Sequence, residues 1–179
     1  MALSLRRGVV TAVLERYEGL TRIEVDGVPC VGYPLVTGPV ALGDDVIVNT
    51  QARDLDLGSG GFDVLYANLT RGLGLAAEPG AHVIKLPYAP GQAAALHAEE
   101  AGPLPDSLDG MPVVCCSLHS QLAPVCAALA GFRLAYVQLE GGALPLALSD
   151  TVRILKERSL IASTINRHVA VSTDFAIFT

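Results

Sequence analysis

From residue 8 to about residue 50, apolar positions alternate with small or polar ones. Val9, Thr11 and Val13 follow this period, and Thr21-Arg22-Ile23-Glu24-Val25 repeats it cleanly, as half-buried strands do. Asp26-Gly27 between two such runs predicts a tight hairpin, and Cys30-Val31-Gly32-Tyr33 starts the next strand. Gly38-Pro39-Val40-Ala41-Leu42-Gly43-Asp44 turns the chain into a further strand at Val46 to Val48. Short strands joined by tight turns predict a small β-barrel of the SH3-like or OB-like kind over residues 1–71. Gly58, Gly60 and Gly61 would cradle a phosphate only if a helix followed. Phe62-Asp63-Val64-Leu65-Tyr66 alternates as a strand instead, so these glycines read as a turn.

Residues 72–80 are rich in Gly, Ala and Pro and predict a linker, after which the pattern changes to strand, helix, strand, helix over 81–179. His82 to Leu86 reads as a strand, and Ala94, Leu96, His97 and Ala101 as one face of a helix. The apolar run Met111-Pro112-Val113-Val114-Cys115-Cys116 reads as the central strand, followed by the polar turn Ser117 to Gln121 and a helix with Leu122, Val125, Cys126 and Leu129 on one face. Arg133 to Leu139 supplies a third strand. Pro145 opens a helix with Leu148, Val152 and Leu155 on its apolar side, and a fourth strand is predicted within Ile165 to Val171, with another at Phe175 to Phe178. The expected fold class is therefore α/β: a small barrel followed by a mostly parallel three-layer domain, Rossmann-like or flavodoxin-like, in βαβαβαβ order.

Charge and cysteine content narrow the chemistry. Twelve Lys and Arg against 18 Asp and Glu give a net charge of −6, which offers no general attraction to nucleic acid or anionic lipid. The negative balance lies in residues 51–110, with 3 basic against 8 acidic groups, while residues 111–179 carry 5 against 4. Cys30, Cys115, Cys116 and Cys126 lack the paired short spacings of a zinc site or a redox CxxC motif, so the expectation is buried free thiols and no metal. Neither a signal-peptide pattern nor a spanning apolar run is visible, and a cytoplasmic protein without membrane partners is expected. In that setting Asn68-Leu69-Thr70 is an accidental match to a glycosylation acceptor.

In an open parallel sheet, ligands sit beyond the carboxyl ends of the strands. Three turns should then meet there: Pro87 to Gln92, with Tyr88 and Gln92; Ser117 to Gln121, with Ser117, His119, Ser120 and Gln121; and Glu140 to Leu144, with Glu140, Gly141 and Gly142. Glycines before a helix start leave amide hydrogens open to an anion, so a small anionic metabolite or nucleotide is the expected ligand of a non-catalytic protein. An alternative is a hydrolase or transferase in which His119 acts as base for Ser120 or Cys116 and Glu140 orients the imidazole. A third is a structural module whose barrel mediates homo-oligomerisation.

Gly38 to Asp44, Asn49-Thr50 through Leu57-Gly58-Ser59-Gly60-Gly61-Phe62, and Gly141-Gly142-Ala143-Leu144-Pro145-Leu146-Ala147-Leu148-Ser149 together resemble a bacterial family known as domain of unknown function 3866. The resemblance runs from about Arg7 to Ile165 and carries no assigned reaction. Members of that family run further and have a Gly-Gly-Asp phrase after the fourth strand, where this chain has Ser172-Thr173-Asp174 and ends at Thr179. The resemblance thus implies a truncated or C-terminally divergent member.

Overall fold

A computed structural model describes residues 3–56, 61–76, 79–96, 100, 106–139 and 144–166. The chain divides into two compact units, Met1–Ala76 and Ala77–Thr179.

The first unit is a closed five-stranded barrel in the order β1-β2-β3-β5-β4. Its strands are β1 (Leu5–Tyr17), β2 (Leu20–Val25), β3 (Val28–Gly32), β4 (Asp45–Asn49) and β5 (Asp63–Asn68). Two short helices, α1 (Pro34–Thr37) and α2 (Gln51–Asp54), join β3 to β4 and β4 to β5. Closure depends on β1, whose 13 residues pair with β4 at one end and β2 at the other. Register shifts between Val10 and Ala12 and between Val13 and Glu15 bend it through that change of partner. Asp26 and Gly27 take φ values of 52° and 77° and bring Val25 opposite Val28, which is the two-residue hairpin their sequence predicts. The remaining pairings are antiparallel except β3 with β5, which is parallel. The result is a closed, mixed five-stranded barrel.

Alternation sends Val10, Ile23, Val25, Cys30, Val46, Val48 and Leu65 into one interior cluster, which Val40 from the loop before β4 joins. Burial there, followed by the neighbouring Asp63 carboxylate, pushes the Cys30 thiol up to about 12. Two carboxylates are buried with partners at hand. Asp63 receives Arg53 Nε and Nη2 at 2.8 and 3.1 Å, and Asp44 receives Arg71 Nε at 2.7 Å and Asn68 Nδ2 at 2.9 Å. Asn68 is 1% exposed, which leaves no room for a glycan on its amide.

The second unit overturns the expected parallel three-layer domain. Its first strands, β6 (Val83–Lys85) and β7 (Ala93–Ala95), form an antiparallel hairpin, so the predicted helix around Ala94 is a strand at that point. His97 and Ala101 lie outside the described residues. Met111 to Cys116, expected as the central strand, forms no regular element, and Met111, Val113 and Val114 are 57–66% exposed. The helix after it does form, as α3 (Leu122–Ala128). β8 (Ala135–Gln138) pairs in parallel with β9 (Ser163–Asn166), and α4 (Asp150–Glu157) lies between them in sequence. Pro145 precedes a short 3₁₀ turn at Leu146–Leu148, and α4 itself begins after Ser149. One parallel strand pair flanking one helix, beside an antiparallel hairpin, does not make a layered parallel sheet. Phe175 to Phe178 lies outside the described residues.

Candidate functional site

α4 is strongly amphipathic, and its buried Val152 and Leu155 pack with Leu122 and Cys126 of α3 and with Leu146 and Ile161. Period-two alternation in β8 turns Tyr136 and Gln138 to one side and leaves Ala135 and Val137 exposed. Tyr136 packs against the helical cluster, and Gln138 is buried. These positions bring together a polar chain that the sequence did not point to.

His119 is the middle of that chain. Its Nδ1 lies 3.2 Å from the Tyr136 hydroxyl and its Nε2 lies 2.8 Å from Ser149 Oγ. Ser149 is the N-cap of α4, and its Oγ accepts the Val152 amide at 3.1 Å. The Tyr136 hydroxyl donates to Gln138 Oε1 at 3.4 Å, and Gln138 Nε2 donates to the Leu144 carbonyl at 2.6 Å. One arrangement of protons satisfies every member: Ser149 O–H donates to Nε2, Nδ1–H donates to Tyr136, and each later donor has its acceptor. Burial, and after it the charge of Cys116, raises the Tyr136 hydroxyl, which keeps it a neutral donor.

The turn before α3 is fixed from within. Gln121 Oε1 accepts the amides of Ser117 at 3.0 Å and Leu118 at 3.1 Å. Those two amide hydrogens, which the sequence pattern left open to an anion, are taken by a side chain of the same turn. Ser117, Ser120 and Gln121 are exposed and His119 is half-buried. It is Ser149, not Ser120, that meets His119. Cys116 is an exposed thiol, three residues before the imidazole.

The other expected residues do not join this group. Tyr88 and Gln92 are exposed in the loop between β6 and β7, and Tyr88 is 101% exposed at φ 61°. Because that hairpin is antiparallel, its loop is not a strand-to-helix turn. Glu140, Gly141 and Gly142 lie outside the described residues. Ser149 carried a signal that was readable: Ser149-Asp150-Thr151-Val152 has a capping residue immediately before an apolar helical period. Tyr136 and Gln138 carried only the alternation of a strand.

As a nucleophile Ser149 is poorly placed, since it is 3% exposed and its oxygen already serves the helix cap. Among the described residues, no group of three or more His, Cys, Asp or Glu is placed to hold a metal ion. No helix among them is long and apolar enough to cross a membrane. What the arrangement offers is a half-buried imidazole held at two atoms, with exposed hydroxyls beside it.

Neither the curated proteins nor the solved structures contain a match to this chain. A family model described as "Protein of unknown function (DUF3866)" matches residues 30–175, which cover most of the chain and reach from β3 of the barrel through the second unit. The chain belongs to that family.

Proposed function

We propose that the protein binds a small anionic metabolite or nucleotide without transforming it, at the turn Ser117–Gln121 beside the carboxyl end of β8. The observation that carries this reading is the half-buried His119 imidazole, held at both nitrogens by Tyr136 and Ser149. A ring fixed in this way anchors the turn, so that the turn's exposed side chains meet a ligand with little freedom left to lose. The hydroxyls of Ser117 and Ser120 stand exposed on the same short turn. The turn is hydrogen-bonded to the strand that leads into α4, and strand-to-helix junctions in β-α-β units are where ligands gather.

Since Gln121 occupies two amides of the turn and Asp150 stands in the first turn of α4, the contacts to an anion come from side-chain hydroxyls, those of Ser117 and Ser120, on a turn that His119 anchors. The reading takes the protein to be bacterial and cytoplasmic, which suits its free thiols. Thermal unfolding of the full chain with nucleoside mono- and triphosphates and with di- and tricarboxylates tests it. At least one class should raise the midpoint in the wild type, and His119→Gln, which retains hydrogen-bonding atoms, should lose that rise. A wild-type midpoint unmoved by every class, or an equal rise in the variant, would overturn the reading.

A further inference from the structure

β6 and β7 pair through three residues each, and only Val83 and Ala95 in them are half-buried. A two-stranded ladder this short is marginal in water by itself. Its open end is reinforced by His82, the residue before β6. The His82 amide donates to the Ala95 carbonyl at 3.3 Å, while Nδ1 of its ring stands 2.9 Å from the Gly80 carbonyl oxygen and Nε2 stands 3.0 Å from Glu100 Oε1. Glu100 follows β7 in sequence, so one side chain ties the segment entering the hairpin to the segment leaving it.

We propose that His82 and Glu100 form a pH-operated latch at the base of this hairpin, closed while the imidazole carries two protons and released when it loses one. This inference does not rest on the ligand proposed above. A carbonyl oxygen and an ionised carboxylate can only accept, so both ring nitrogens must donate, and imidazolium is the one ring state that does. Loss of a proton leaves two tautomers, and neither keeps both ties. With the hydrogen on Nδ1, the Nε2 lone pair faces the carboxylate; with it on Nε2, the Gly80 bond is lost. The contrast with His119 is instructive, because its partners are the hydroxyls of Tyr136 and Ser149, which both donate and accept, and a neutral ring is satisfied there.

Few charges surround the ring. β7 contributes alanines alone, and Lys85, the charged residue of β6, alternates to the side opposite His82. His97 and Glu99 lie outside the described residues. Among the described residues, Glu100 is therefore the charge that faces the imidazole. The Gly80 carbonyl first, and the Glu100 charge after it, raise His82 above its ordinary value. A histidine raised on folding contributes fully below its ordinary value of about 6.5 and loses that contribution as pH rises through the folded one. The latch is accordingly shut in mild acid and opens toward the alkaline side.

Titration of the histidine ring resonances of the full chain tests this, with His82→Asn identifying the His82 signal. Its midpoint should lie above about 6.5 in the wild type. Glu100→Gln should lower that midpoint, because the amide bears no charge and can donate to a neutral ring. Exchange protection of the His82 amide, corrected for the intrinsic rise of exchange with pH, should fall across the wild-type midpoint by up to about fivefold, the reach of one exposed ion pair. In Glu100→Gln that step should vanish. A wild-type midpoint at or below about 6.5, a midpoint that Glu100→Gln leaves in place, or protection that stays constant through the titration would each overturn the proposal.

Discussion

Asn68 is the side chain on which the barrel should depend most heavily for its size. It is 1% exposed, and its Nδ2 donates to the Pro39 carbonyl at 3.1 Å and to Asp44 Oδ2 at 2.9 Å. Its Oδ1 accepts the Thr70 and Arg71 amides at 3.0 and 2.9 Å. In Asn68→Ala the buried Asp44 carboxylate loses a charge-assisted bond, costing about 2 kcal/mol. Pro39, Thr70 and Arg71 are exposed residues whose backbone groups can turn to water, so the three neutral bonds cost only about 0.5 kcal/mol each. The total is about 3.5 kcal/mol, which for a barrel of this size lowers the melting midpoint by roughly 14–28 °C. Urea unfolding of the full chain followed by circular dichroism measures the loss. Hydrogen exchange at the amides of β4 and β5 assigns it to the barrel. Nearly isosteric Asn68→Asp isolates the two donated bonds and places a second carboxylate beside Asp44, so at pH 7 it should destabilise as well. A loss below about 1 kcal/mol in Asn68→Ala would mean that the bonds are replaced by water, and the reasoning fails.

Three further outcomes follow from the same geometry. A Cβ at Gly72 would stand 2.3 Å from the Thr37 carbonyl oxygen and 2.7 Å from that of Asn68. Because both are backbone atoms, Gly72→Ala should cost about 1–3 kcal/mol in the urea assay, and wild-type stability would refute the close approach. Ser149→Ala removes the α4 cap and one partner of His119, so it should cost about 1 kcal/mol and speed exchange at the Val152 amide; unchanged protection there would count against the cap. At Asp44 burial pushes the carboxyl up, but hydrogen bonds from Asn68, Ala41 and Arg71 and the Arg71 charge outweigh it and hold the group below its ordinary value. A depressed carboxyl stabilises the fold above its unfolded pKa and loses that contribution as pH falls through the folded one, so barrel stability should drop below about pH 4. Asp44→Asn should flatten that drop, and an equally steep one in the variant would assign it elsewhere.

The barrel was legible because its determinants are local. Ile23 and Val25 alternate with Arg22 and Glu24, Asp26-Gly27 has the backbone freedom a two-residue turn requires, and Gly43-Asp44 leads directly into β4. None of those signals says which strands become neighbours. That depends on the irregularities in β1 and on Arg53 finding Asp63 and Arg71 finding Asp44, 10 and 27 residues away in sequence. A charge pattern contains no term for such distances, which is why two of the barrel's buried carboxylates went unread.

The second unit failed as a reading for a reason that a run of apolar residues cannot reveal. Met111 to Cys116 has the composition of a buried parallel strand, yet a strand exists only through a partner's hydrogen bonds, and this stretch is exposed without a regular one. Ala93 to Ala95 illustrates the opposite case: alanines favour helix, but Val83 to Lys85 lies within reach across a loop of seven residues, and pairing overrides propensity. The turn at Ser117–Gln121 is legible as a polar junction before a helix, while the hydroxyl that meets His119 is not, because Ser149 reaches it from 30 residues away. What made His119 a hub was therefore the docking of α4 beside β8. Any substitution that shifts α4, such as one at Val152 or Leu155 in its buried face, should disturb the His119 ring as surely as a change at the ring itself.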